Sequence, residues 1–184
     1  IQIRKDHMVE FIIVSSGAIT CGANKLHIEP STISEKQASA AVGQFLLMKE
    51  YSTFFNNDGV HVGQILLTKD GIIDPQRNPH ILTTISTLLS RQIIPIINEN
   101  DSVSIDEIQF GDNDELSSYV ATLIQAEQLI ILTDTKGLYT KNPKHNPEAE
   151  HIKLVPHISE DILSFADTHE DEISRGGMKS KLLA

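Results

Sequence analysis

At 184 residues the chain is long enough to bury one core and too short to favour two domains. Its formal charge of −10, with no basic stripe interleaved by aromatics, argues against a nucleic-acid footprint, although a local lysine cluster can still hold phosphate. No apolar run approaches the roughly 20 residues that span a bilayer and no signal peptide is visible, so the expectation is a soluble, cytoplasmic protein without membrane partners.

The chain opens on Ile1-Gln2-Ile3-Arg4-Lys5, without an initiator Met, and runs into a predicted strand over residues 11–16. That strand ends in Ser15-Ser16-Gly17, a tight turn where Gly lets a ligand approach the backbone and Ser16 offers a hydroxyl and an amide. Cys21 follows; as a single cysteine it excludes an intrachain disulfide, fits a reducing compartment and reads as apolar filler. Helical spacing of Ala38, Ala41, Val42, Phe45, Leu46 and Met48 predicts a helix over about 34–55. A strand over 60–68 and a helix over about 78–91 come next, then a strand over 92–98.

That third strand delivers Asn98-Glu99-Asn100-Asp101, and a dozen residues later Gly111-Asp112-Asn113-Asp114 opens a helix predicted over 115–125, with Asp114 placed as its N-cap. Either cluster alone reads equally well as an acidic loop with capping residues. Together they make a ligand site, because open α/β sheets bind at the carboxyl ends of their strands. A fourth strand over 128–133 then presents Thr133 and Asp134, and Gly137 permits a turn that would put Tyr139 beneath a bound base. Residues 139–153 are polar and Pro-punctuated, a surface excursion. Near the end, Arg175-Gly176-Gly177-Met178-Lys179-Ser180-Lys181 places two glycines before a helix start, exposing backbone N–H groups to phosphate, with lysines to follow. It is not a Walker A loop, since the glycine spacing differs.

The predicted strands are apolar on both parities, as expected of strands covered on both faces. Strands alternating with helices predict an α/β fold, a three-layer αβα sandwich around a mostly parallel sheet. No repeat or Pro/Gly/Ser-rich linker divides the chain, so the expectation is a single domain over 1–184, cut at both ends.

These segments, with Lys36-Gln37-Ala38, Ala41-Val42-Gly43-Gln44 and Val62-Gly63-Gln64-Ile65-Leu66-Leu67-Thr68, resemble the glutamate 5-kinase branch of the amino acid kinase superfamily over nearly the whole chain. The resemblance implies ATP-dependent phosphorylation of the L-glutamate side-chain carboxylate, the first step of proline biosynthesis. It implies that Ser16, Asp101 and Asn113 hold glutamate, Asp101 against the ammonium and the other two donating to carboxylate oxygens, while Asn98 and Asp112 line the site. Thr133 and Asp134 would contact the nucleotide, with Arg175, Gly176, Gly177, Met178, Lys179, Ser180 and Lys181 around its phosphates. Lys181 corresponds to the catalytic lysine and Asp114 to the aspartate that orients the lysines. Mg²⁺ would ride on the ATP phosphates, with no dedicated protein ligands. Proline is the implied feedback inhibitor and a dimer or tetramer the implied assembly.

Two departures stand out. The lysine-bearing first strand of the family is not in this chain, and Arg175 occupies a position where the family usually has a small residue. Alternatives are another kinase of the superfamily, acting on acetylglutamate or uridylate, and a non-catalytic relative that binds glutamate or proline.

Overall fold

Six consecutive residues, Ile94–Glu99, form a strand with every side chain buried, which is why the sequence there shows no alternation. The computed structural model describes residues 2–7, 9–103, 113–167 and 177–184. In chain order the helices are α1 (Gln2–His7), α2 (Ala18–Leu26), α3 (Ile33–Asn56), α4 (Lys69–Ile73), α5 (Asn78–Ser90), α6 (Asn113–Leu123), α7 (Glu160–Asp167) and α8 (Met178–Leu183). The strands are β1 (Ile13–Val14), β2 (Val62–Leu67) and β3 (Ile94–Glu99). The chain forms two compact units, Ile1–Asn113 and Asp114–Ala184.

In the first unit the sheet is parallel throughout, in the order β1-β3-β2. Ile13 pairs with Ile96 and Val14 with Ile97, while β2 runs alongside the whole of β3, from Val62 opposite Ile94 to Leu67 opposite Glu99. This register brings the carboxyl ends of β1, β2 and β3 to one edge. The Ser15 N–H extends the first ladder by donating to Ile97 O, and the Asn100 N–H extends the second by donating to Leu67 O. Ile96 and Ile97, at 0% exposure, are the centre of the core.

Helix α3 begins on a capping box. Thr32 Oγ1 accepts from the Glu35 N–H, and Glu35 returns by accepting from the Thr32 N–H at 3.0 Å. Glu35 also accepts from the backbone and hydroxyl of Ser31. Helices α2 and α3 pack through small residues, Gly22 and Ala18 on one and Ser39, Ala40 and Gly43 on the other. A Cβ on Gly22 would stand 1.8 Å from Ser39 O, and one on Gly43 would stand 1.8 Å from Ala18 O. Only glycine fits at either position.

The predicted helices over 34–55 and 78–91 are present as α3 and α5, and the segment from Met178 as α8. Residues 128–133 are a correction: they form no strand among the described residues, and Leu132 is 91% exposed. An apolar run becomes a strand only where a neighbour accepts its ladder, and β propensity follows that context. Asp114 is a second correction. Helix α6 starts at Asn113, so Asp114 lies inside the first turn, where the helix dipole favours a carboxylate, and is not the N-cap. Helix α7, rich in polar residues, had no sequence-level counterpart.

Candidate functional site

Gly17 adopts φ 88°, the left-handed conformation that glycine takes without penalty, and there the chain turns from β1 into α2. The turn leaves Ser16 exposed and Ser15 buried. Ser15 is anchored twice, by its hydroxyl 3.1 Å from the Tyr51 hydroxyl and by its carbonyl, which accepts from Asn113 Nδ2 at 2.7 Å.

From that carbonyl a relay of side-chain amides crosses the strand ends. Asn113 Nδ2 also donates to Asn98 Oδ1 at 3.1 Å, and Asn98 Nδ2 donates to Gln44 Oε1 at 2.8 Å. Asn98 Oδ1 accepts a second bond from the Glu99 N–H at 2.9 Å. Both anchors are backbone groups of fixed polarity, so the orientation of every amide in the relay follows. Both Asn113 side-chain hydrogens are engaged within the protein, so its Nδ2 donors hold the site together. Asn98, 1% exposed, is likewise part of the frame.

Beside the relay lies a cleft of about 350 Å³ between α3 and the ends of β2 and β3, lined in part by Gln44, Met48, Gln64, Glu99 and Asp101. Asp101 is half-buried at the start of a turn that Ser102 braces by donating to Asn100 Oδ1 at 2.6 Å. Gln44 and Glu99 were not singled out from the sequence as site residues. The available signal for Gln44 was a polar residue in the apolar register of α3 with Ala40, Ala41 and Met48.

Within Asp114–Ala184, Lys181 Nζ lies 2.7 Å from Asp114 Oδ2, and each side chain is 18% exposed. This joins the first turn of α6 to the last of α8 across 67 residues of sequence. Gly177 precedes α8 in extended conformation with no atom of the described residues within 4 Å of where a Cβ would sit, and Met178, Lys179 and Ser180 form its first turn. Thr133 and Asp134 are exposed, with Thr133 Oγ1 3.5 Å from Asp134 Oδ1. Gly137 takes φ 123°, and the turn it makes sets the Tyr139 ring against His151, centroids 5.1 Å apart. Tyr139 and His151 also form an antiparallel bridge that closes the 139–153 excursion. Asp112, Arg175 and Gly176 lie outside the described residues. No helix among the described residues is long and apolar enough to cross a membrane.

The family profile described as the amino acid kinase family matches residues 1–184. The chain is similar to glutamate 5-kinase 1 of Bacillus subtilis (strain 168), 48% identical over 177 residues, covering 95% of this chain and 48% of that protein. It is similar to glutamate 5-kinase of Clostridium tetani (strain Massachusetts / E88), 46% identical over 175 residues, covering 94% of this chain and 66% of the relative. Glutamate 5-kinase 2 of Bacillus subtilis (strain 168) is 47% identical over 180 residues, 97% of this chain and 48% of its own length. The chain thus spans about half the length of the two Bacillus relatives.

Proposed function

The chain belongs to the amino acid kinase family, and on that premise we propose that its protein transfers the terminal phosphoryl group of ATP to the side-chain carboxylate of L-glutamate, giving L-glutamyl 5-phosphate for proline biosynthesis. The observation that carries this reading is the similarity, over about 95% of the chain, to relatives named glutamate 5-kinase. The acceptor carboxylate is already a nucleophile at neutral pH, so no strong base is needed. A carboxylate oxygen attacks the terminal phosphorus, the bond to the bridging oxygen breaks, and ADP leaves. Catalysis then rests on alignment and on neutralising charge.

The assigned roles follow that chemistry. Lys181 supplies an ammonium to the transferring phosphoryl, and Asp114, 2.7 Å away, fixes the direction in which it points. Gly177 and the residues from Met178 to Ser180 present backbone N–H groups to phosphate, and Arg175 and Gly176 belong to the same stretch of sequence. Thr133 and Asp134 serve the nucleotide. Asp101 takes the glutamate ammonium, Ser16 donates to a carboxylate, Asn98 and Asn113 brace the strand ends, and Asp112 lines the site. Magnesium enters on the ATP phosphates, whose oxygens suit it. Inhibition by proline, a dimeric or tetrameric assembly and a cytoplasmic location complete the reading.

The test is an assay of the full-length protein with ATP, Mg²⁺ and hydroxylamine, trapping acyl phosphate as hydroxamate. Hydroxamate from L-glutamate, with N-acetylglutamate inert and no ADP released by UMP, is the expected outcome. ATP turnover with either alternative acceptor instead would overturn it, and glutamate binding without turnover would favour a sensor.

A further inference from the structure

Gln44 is nine-tenths buried, and among the described residues its Nε2 has no hydrogen-bond partner. The amide cannot be turned to remove the difficulty. Asn113 must donate to the Ser15 carbonyl, Asn98 Oδ1 must accept from the Glu99 N–H, and so the Gln44 atom facing Asn98 Nδ2 must be the oxygen. The relay therefore ends on an N–H₂ group aimed away from it, on a residue that lines the 350 Å³ cleft. Leaving a buried donor unmade is costly, and such groups in folded proteins call for a partner.

The cleft indicates the partner's chemistry. Glu99 and Asp101 line it, which favours a ligand carrying an ammonium group, while the donor that Gln44 leaves unpartnered among the described residues favours an acceptor oxygen. A small amino acid carries both groups, and the volume lies at the small end of ligand pockets. We propose that Gln44 is a substrate-positioning residue whose Nε2 donates to a carboxylate oxygen of the acidic amino acid bound in this cleft. The inference rests on the functional reading above and adds to it a residue on α3 that determines how the acceptor is held.

Two substitutions in the full-length protein separate this role from a structural one. Gln44→Glu keeps an oxygen to accept from Asn98 but sets a second oxygen where the donor was. Gln44→Met removes both functions. A positioning role predicts that Gln44→Glu raises the KM for L-glutamate about tenfold or more, leaves the KM for ATP within about twofold, and is at least as harmful as Gln44→Met. If Nε2 meets only water, or Gln44 serves only to anchor Asn98, Gln44→Glu stays near wild type and the proposal is overturned. Equal weakening of both substrates with a lowered melting temperature overturns it as well. A wild-type protein that neither binds nor phosphorylates L-glutamate refutes the functional reading itself, an outcome distinct from a wild-type enzyme indifferent to Gln44.

Discussion

Lys181 and Asp114 form a close ion pair at 2.7 Å, each side chain only 18% exposed. A charge that helps mainly once negative charge redistributes in the transition state appears in turnover more than in binding. Lys181→Ala in the full-length protein should therefore lower kcat by about 100-fold or more while raising the KM for glutamate much less. A kcat within about threefold of wild type would show that the lysine serves only to hold Asp114. At this scale the sequence was informative where polar residues interrupt apolar runs: Asn98, Asp101 and Asn113 stand out at the ends of predicted elements. For Gln44 the sequence offered only its place in the apolar register of α3, and what its amide meets is shown by the folded relay alone. The direction of the Asn113 amide was likewise hidden, since the Ser15 carbonyl that consumes its donor is 98 residues away.

Helix α3 owes its start to Glu35. Hydrogen bonds from the Ser31 backbone, then from Thr32 and the Ser31 hydroxyl, hold its carboxyl down to about 2 from an ordinary value of 4.5. The folded-state pKa is the lower one, so the contribution is complete above about pH 4.5 and is lost as pH falls towards 2. Glu35→Gln keeps an acceptor for the box but removes the titration. Urea midpoints of wild type and variant should differ most near neutral pH and converge as pH drops through that window; a constant difference down to pH ~2 would contradict the linkage. The long helices and the buried strand were legible because their apolar spacing extends over many residues. The apolar segment 128–133 was misread as a strand for the converse reason: its apolar character is local, whereas a strand is a property of two segments. Helix α2 was visible only as a turn at Gly17, since its nine residues are too short a window for apolar spacing to declare a helix.

The parallel order β1-β3-β2 and the covered central strand were expected from the alternation of elements. Global stability of the first unit should depend strongly on the α2–α3 crossing. Gly43→Ala would drive a methyl into the Ala18 carbonyl, a backbone atom that cannot swing aside, so unfolding free energy should fall by about 3 kcal/mol or more. Gly177→Ala, with no neighbour among the described residues and an unstrained φ of −67°, should change stability by less than about 0.5 kcal/mol. Equal melting temperatures for the two variants would refute the packing argument. The same crossing makes the two glycines historically interdependent. Gly22 and Gly43 each guard the backbone of the other's helix, so whichever changes first forces the helices apart and makes room for the second. The Gly22→Ala, Gly43→Ala double variant should cost less than the sum of its parts, so drift away from this pair starts with a deleterious step that its successor partly repairs.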